Sequence, residues 1–223
     1  MKYAFLSYPL SRTAPRPPAI PEPEISDFQT IAKDGASVQK VTFYNHTGTH
    51  LDTAAHVFED GISIEEFLPD DLRFNKVGVI SFDLADKYHV TSNELLPYAE
   101  EIKNCDMLII RFGVENIRAN DGYRFSNLLP GITREAAQWL RSNCNELRCF
   151  GTDLPSFAVI SDLENTMTAH NIFLQGNKDK MLILEEMKLD DLNILGKIES
   201  ITVVPWFVEG VNSGPCTIIA ELS

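Results

Sequence analysis

The run His46-Thr47-Gly48-Thr49-His50-Leu51-Asp52-Thr53-Ala54-Ala55-His56 gathers three of the chain's five histidines into 11 residues. One continuous helix is a poor fit, because Gly48 between two threonines is a sequence of weak helix formers. A continuous strand puts residues 46, 50 and 52 on one face by its period of two. It also holds His46 and His50 about 13 Å apart, at ~3.3 Å per residue, too far to meet at one ion. A bend at Gly48 resolves this, since glycine accepts positive φ and lets other groups approach its backbone. The run therefore predicts a strand ending over Phe43–Asn45, a turn at Gly48, and convergence of His46, His50 and Asp52. Thr53 is expected to cap a short helix that carries His56 inward and ends before Gly61.

Two neutral imidazoles and a carboxylate suit Zn2+, Mn2+ or Fe2+. Three protein ligands leave a coordination position for water, as catalytic rather than structural zinc sites do. The plainer alternative is a set of loop histidines with local hydrogen bonds. The interleaved Asp52 and the glycine hinge weigh against it.

Outward from this run, apolar and β-branched segments predict strands at Tyr3–Ser7, Val38–Tyr44, Val77–Phe82, Met107–Phe112, Arg148–Gly151, Met181–Leu184, Ile201–Val208 and Thr217–Leu222. Helical stretches fall between them. Thr91-Ser-Asn-Glu94 has a capping-box pattern opening a helix to Ile102. Thr133 caps Arg134 to Ser142, and Ser161-Asp-Leu-Glu164 opens a further helix that Gly176 ends in a left-handed turn. Interleaved strands and helices predict one α/β domain over residues 1–223 with a mixed central sheet and flanking helices. The proline-rich stretch 14–23 predicts a stiff covering arm.

Composition narrows the partners. A 44% hydrophobic share and 223 residues suffice for a core without staples. The net charge of −13 argues against nucleic acid, which needs a basic footprint, and against docking on an anionic membrane. No run of 18 apolar residues predicts a membrane span. The N-terminus lacks signal-peptide character. The four cysteines, Cys105, Cys144, Cys149 and Cys216, form no CxxC pair and predict free thiols in a reducing cytoplasm.

Two further positions are candidates. His170 falls in the helix predicted over 162–175, facing the same way as Met167, Phe173 and Leu174. Glu185 follows the apolar strand Met181–Leu184, and Glu186 beside it competes for any ligand role. His89 reads as a surface residue. Gly210-Val-Asn-Ser-Gly214 has the wrong spacing for a nucleophile elbow, and no dinucleotide-binding glycine motif or P-loop is present.

These residues resemble a known family, the cyclase-like metal-dependent hydrolases of bacterial kynurenine formamidase and isatin hydrolase type. The family signature is H-x-G-T-H-x-D-x-P-x-H, and residues 46–56 match it except at Ala54, which stands at the proline. Weaker matches follow in order: Leu6-Ser-Tyr-Pro-Leu10, Ile109-Ile-Arg111-Phe-Gly113, Leu129-Pro-Gly-Ile-Thr133, Gly151-Thr-Asp153-Leu-Pro-Ser156, Ile183-Leu-Glu185 and Gly214-Pro215. The resemblance implies a barrel-like swivelling β/β/α fold. It also implies one or two divalent ions, Zn2+ first and Mn2+ next, held by His46, His50, Asp52, His170 and Glu185, with Asp52 shared between the ions. His56 is implied as the proton donor and acceptor. The implied reaction is hydrolysis of a small amide of N-formylkynurenine type by metal-activated water, in a homodimer or homotetramer. Ring opening of a lactam or lactone, as in isatin hydrolases, is the second expectation. A metal- or ligand-binding module without turnover is the third. The aromatic residue that formamidases carry in the N-terminal arm has no counterpart in Pro15–Pro18, a departure that bears on substrate rather than on the ligands.

Overall fold

Met107-Leu-Ile-Ile110 is apolar at every position because both faces of this strand are covered. Leu108 and Ile110 lie in one buried cluster with Ala136, Ala137 and Leu140 of a helix. Met107 and Ile109 lie in a second cluster, with Leu51, Leu182, Leu184, Ile201 and Ile218. The sheet thus separates a helix-covered layer from an interior enclosed by the strands themselves.

The computed structural model describes residues 2–16, 19–82, 89–176 and 180–223. Its strands are β1 (Tyr3–Phe5), β2 (Glu24–Gln29), β3 (Val38–Thr42), β4 (His50–Asp52), β5 (Arg73–Phe74), β6 (Val77–Ser81), β7 (His89–Val90), β8 (Met107–Arg111), β9 (Gly131–Ile132), β10 (Cys149–Thr152), β11 (Leu182–Glu185), β12 (Ile198–Pro205) and β13 (Ser213–Leu222). Nine form one mixed sheet in the order β5-β12-β13-β4-β11-β10-β8-β6, with β1 on β13. β6, β8, β10 and β11 run parallel. The helices Ala99–Ile102, Arg134–Asn143 and Leu163–Leu174 fall in the crossovers that parallel pairing requires. β4, β13, β12 and β5 pair antiparallel. The two ends of this order, β5 and β6, are separated in sequence only by Asn75 and Lys76. The sheet consequently curls into a nearly closed barrel, as the resemblance implies.

All eight expected strands form, with ends shifted by a few residues. Five were not anticipated: β2, β4, β5, β7 and β9. β4 is only three residues long and polar at both ends, so it carries no strand pattern. β2 reads Glu-Ile-Ser-Asp-Phe-Gln and pairs with β3 in an exposed hairpin. Thr91 closes its capping box with Glu94, but Pro97 divides the expected helix into Ser92–Leu95 and Ala99–Ile102 around a 3-10 turn. Thr133 caps Arg134–Asn143 through Ala136 N–H. Ser161 is not the cap of the next helix. The Asp162 carboxylate takes that place, accepting from Asn165 N–H at 3.1 Å, and Gly176 follows the helix at φ +101°. Of the proline-rich arm, Pro17 and Pro18 lie outside the described residues, as do residues 177–179.

Candidate metal centre

β4 runs between β11 and β13, and this placement builds the site. Its alternation sends Leu51 into the barrel interior and His50 and Asp52 to the helix side. On β11 the same alternation sends Leu182 and Leu184 inward, and Ile183 and Glu185 to the helix side. Register sets Glu185 opposite His50, and Ser213 of β13 opposite Asp52. His170 arrives on the helix Leu163–Leu174, which covers this face.

Gly48 adopts φ +69°, the predicted bend. It returns His46 to the cluster, with Nδ1 3.2 Å from Asp52 Oδ1. β3 ends at Thr42, before the expected Phe43–Asn45. His56 follows on the 3-10 turn Ala54–His56, its ring 4.4 Å from the His46 ring and 6.1 Å from that of His170. Thr53 does not cap this turn; its hydroxyl donates instead to Asn212 O at 2.8 Å. Gly61 closes the loop against the turn, where a Cβ would meet the Ala54 and Ala55 backbone at 2.3 Å.

Two sets of ligand atoms lie within 4.8 Å of one another: those of His46, His50 and Asp52, and those of Asp52, His170 and Glu185. Asp52 belongs to both. All but His46 are buried. Hydrogen bonds orient the rings. A backbone carbonyl only accepts, so His50 Nδ1 donates to Gly48 O at 2.8 Å and His170 Nδ1 to Thr166 O at 2.7 Å. Both Nε2 atoms thus face Glu185, His170 Nε2 at 3.3 Å from Oε1 and His50 Nε2 at 3.1 Å from Oε2, and on losing a proton each would offer a lone pair in the orientation that outer partners impose on metal ligands. His46 is turned the other way. Asn45 and Asn212 engage the Ser213 hydroxyl, which donates to Asn212 Oδ1 and accepts from His46 Nε2 at 3.1 Å.

The donor set passes a direct test for a cation. His50 Nε2 and Asp52 Oδ1 are buried without a hydrogen-bond partner among the described residues. His50 Nε2 is 3.1 Å from Glu185 Oε2, yet the alignment is not that of a hydrogen bond. Buried orphan atoms cost free energy unless something satisfies them. A divalent ion among these lone pairs would do so.

The electrostatics agree. Burial draws the His50 imidazolium down, but Glu185 and Asp52 beside it outweigh this and push its pKa up to about 9. Burial also raises Asp52, yet His46, His50 and His56 hold it well below the usual carboxylate range. Glu185 is likewise lowered, burial and Asp52 being outweighed by His170 and His50. His56 differs: burial first, then His46 and His170, depress its pKa, so it is neutral at neutral pH.

Glu185 and Glu186 are separated by backbone geometry. Glu186 has φ +54°, which turns its carboxylate away from the cluster to Arg118, 2.6 Å off. Ser213, Asn45 and Asn212 escaped the sequence reading because their partners lie up to 168 residues away and no motif marks them. His89 lines a small polar cavity away from the cluster. A larger groove of about 660 Å3, lined by Tyr8, Phe43, Thr47, Thr49 and Trp206, includes none of the candidate ligands.

Residues 5–159 match the family model Cyclase, described as "Putative cyclase". The chain belongs to the cyclase family. Among relatives of this chain, the kynurenine formamidase of Erythrobacter litoralis (strain HTCC2594) is 30% identical over 193 residues, covering 83% of this chain and 78% of that protein. The kynurenine formamidase of Bacillus anthracis is 27% identical over 154 residues, covering 69% and 66%. In fold, the chain is similar to isatin hydrolase A from Labrenzia aggregata bound to benzyl benzoate, with a TM-score of 0.82 at 17% identity over 99% of this chain and 93% of that one.

Proposed function

We propose that this cyclase-family chain is a metal-dependent hydrolase that cleaves the C–N bond of a small amide, with an N-formyl aniline such as N-formylkynurenine as the first candidate. The observation that carries this reading is the pair of orphaned donor atoms, His50 Nε2 and Asp52 Oδ1, buried beside Glu185 and His170. The formamidase relatives support the substrate class. His46 through Nδ1, His50 through Nε2 and Asp52 would hold one ion; Asp52, His170 and Glu185 would hold a second. Zn2+ is proposed first and Mn2+ next. When bound, such an ion would lower the pKa of water to about 7 and polarise the scissile carbonyl.

His56 is the proposed acid–base. Its depressed pKa leaves it unprotonated and able to take a proton from the attacking water. It then delivers that proton to the amine nitrogen as the C–N bond breaks, giving the free amine and formic acid, which releases its proton to solvent as formate. A non-catalytic binding module has no use for such a group beside the ligands.

Hydrolytic ring opening of a lactam such as isatin is the second reading, favoured by the likeness in fold to isatin hydrolases. Both reactions need the same His56 and differ in whether the amine departs or stays tethered. The whole chain, residues 1–223, is proposed as one hydrolase domain acting in the cytoplasm. Four buried free thiols support that location. Among the described residues no helix is long and apolar enough to cross a membrane. A homodimer or homotetramer is proposed because the β2–β3 hairpin leaves Phe28, Val38 and Val41 exposed, and Phe43 stacks on exposed Trp206 beside the groove.

The test is turnover of N-formylkynurenine, formanilide and isatin by Zn2+- or Mn2+-loaded protein and by protein held in chelator. Metal-dependent turnover of a formyl aniline supports the formamidase reading, and of isatin alone the ring-opening reading. No metal-dependent turnover of any of them contradicts both.

A further inference from the structure

Glu186 is 3% exposed and sits at φ +54°, a backbone region that favours glycine. It is the residue after the proposed ligand Glu185. The conformation is locked at each of its polar groups. Its N–H donates to Leu154 O at 2.7 Å. Its carbonyl accepts the Thr49 hydroxyl at 2.6 Å. Its carboxylate accepts from Arg118, with Nη2 at 2.6 Å and Nε at 2.9 Å from the same Oε1. The Arg118 guanidinium lies 3.6 Å from the centre of the Tyr8 ring, and Tyr8 N–H donates to Thr49 Oγ1 at 2.9 Å. Tyr8, Arg118, Glu186 and Thr49 form a closed circuit behind the ligands, touching the segment that carries His50 and the strand end that carries Glu185.

We propose that Arg118 is a positioning residue for the metal centre: by holding Glu186 in its left-handed turn it fixes the angle at which Glu185 enters the cluster. The inference rests on the reading that Glu185 is a metal ligand. A non-glycine residue at positive φ persists only where its surroundings over-determine it. Without Arg118, the buried Glu186 carboxylate has lost its cation and relaxes toward water, rotating the backbone that aims Glu185. Glycine at 186 needs neither the cation nor the strain. Alanine at 186 keeps the Cβ and loses the cation's grip.

The experiment titrates Zn2+ alone into the full chain against a chelating dye, for wild type, Glu185→Gln, Arg118→Met, Glu186→Ala, Glu186→Gly and Arg118→Met/Glu186→Gly. Melting temperatures without metal verify folding. The expected result is a 10–100-fold loss of Zn2+ affinity in Arg118→Met and Glu186→Ala, the scale for groups that orient ligands. Glu186→Gly and the double variant stay close to wild type. Rescue by glycine is an outcome that a general packing role for Arg118 does not produce. Wild-type affinity in Arg118→Met while Glu185→Gln is weakened overturns the inference and leaves the metal reading standing. A double variant as weak as Arg118→Met also overturns it. Wild-type affinity in Glu185→Gln removes the ligand and the inference with it. No Zn2+ bound by wild type overturns the proposed function itself.

Discussion

Glu185 stands directly opposite His50 in the antiparallel pairing of β11 with β4, and its Oε2 lies 3.1 Å from His50 Nε2. This contact joins two segments 135 residues apart and holds a carboxylate where the His50 imidazole needs a counter-charge. Glu185→Gln keeps the shape and removes the charge. The expected outcome is loss of the ion shared with His170, seen by elemental analysis. In metal-free protein the His50 pKa should fall from about 9 toward its ordinary value, read by NMR titration of the ring. A His50 still titrating near 9 would show that Glu185 is not the source of the shift.

Ser213 holds His46 in place without reaching the proposed ions. Its oxygen accepts from His46 Nε2 and so keeps Nδ1 turned to Asp52. Ser213→Ala is expected to weaken metal binding about 10–100-fold and to leave the fold intact, since a buried hydroxyl is replaced by a smaller apolar group. Unchanged affinity in a metal competition titration would mean that the Asp52 contact alone orients the ring.

Stability and metal binding should respond to pH in opposite senses. In metal-free protein the His50 pKa is raised from 6.5 to about 9, so its stabilising contribution is complete below about 6.5 and is lost as pH rises through 9. Asp52 and Glu185 are shifted down, so their contribution is complete above their ordinary values of 3.8 and 4.5 and is lost in acid. A metal ion must displace the His50 proton, so its affinity rises with pH toward about 9. Melting temperatures from pH 6 to 10, with chelator and with Zn2+, should therefore diverge as pH rises. Parallel curves would contradict the assignment of His50 as a ligand.

His56→Ala should retain the metal and lose about 10²–10⁴-fold in kcat, the range for removing a general acid–base. Because burial depresses the His56 pKa, the acid limb of the wild-type rate profile belongs below pH 6.5. Full turnover in a fully metal-loaded His56→Ala protein would remove the residue from the mechanism.

Phe157 supports the proposed ligands Glu185 and His170 from both main chain and side chain. Its N–H donates to Glu185 Oε1 at 2.6 Å, and its buried ring meets Phe150, Phe173 and His170 with centroids 4.7, 5.1 and 5.5 Å away. Phe157→Ala is expected to cost about 3–5 kcal/mol of stability, measured by denaturant unfolding. A cost well under 1 kcal/mol would mean that the surrounding rings close the cavity.

The proposed ligands were legible in the chain to different degrees, for physical reasons. His46, His50, Asp52 and His56 are contiguous, and one glycine with φ +69° brings them together, so local geometry sufficed. His170 and Glu185 come from elements far along the chain, and only the family resemblance linked them to that run. The resemblance prefers Glu185 to Glu186, but the backbone reason, a positive φ at a residue with a Cβ, is announced by no sequence pattern. Ser213 lies in a string read only for what it is not. β4 is three residues long and buries two polar side chains, the reverse of what strand patterns detect. β8, β10 and β11 were visible because a sheet covered on both faces demands continuous apolar runs.

The most direct test of the central claim is the metal content of protein purified without added metal, with His50→Ala as control. One or two equivalents of a divalent metal per chain, lost in His50→Ala, is the predicted result. A wild-type protein that holds no metal even after Zn2+ or Mn2+ is supplied would contradict the metal centre and the hydrolase built on it.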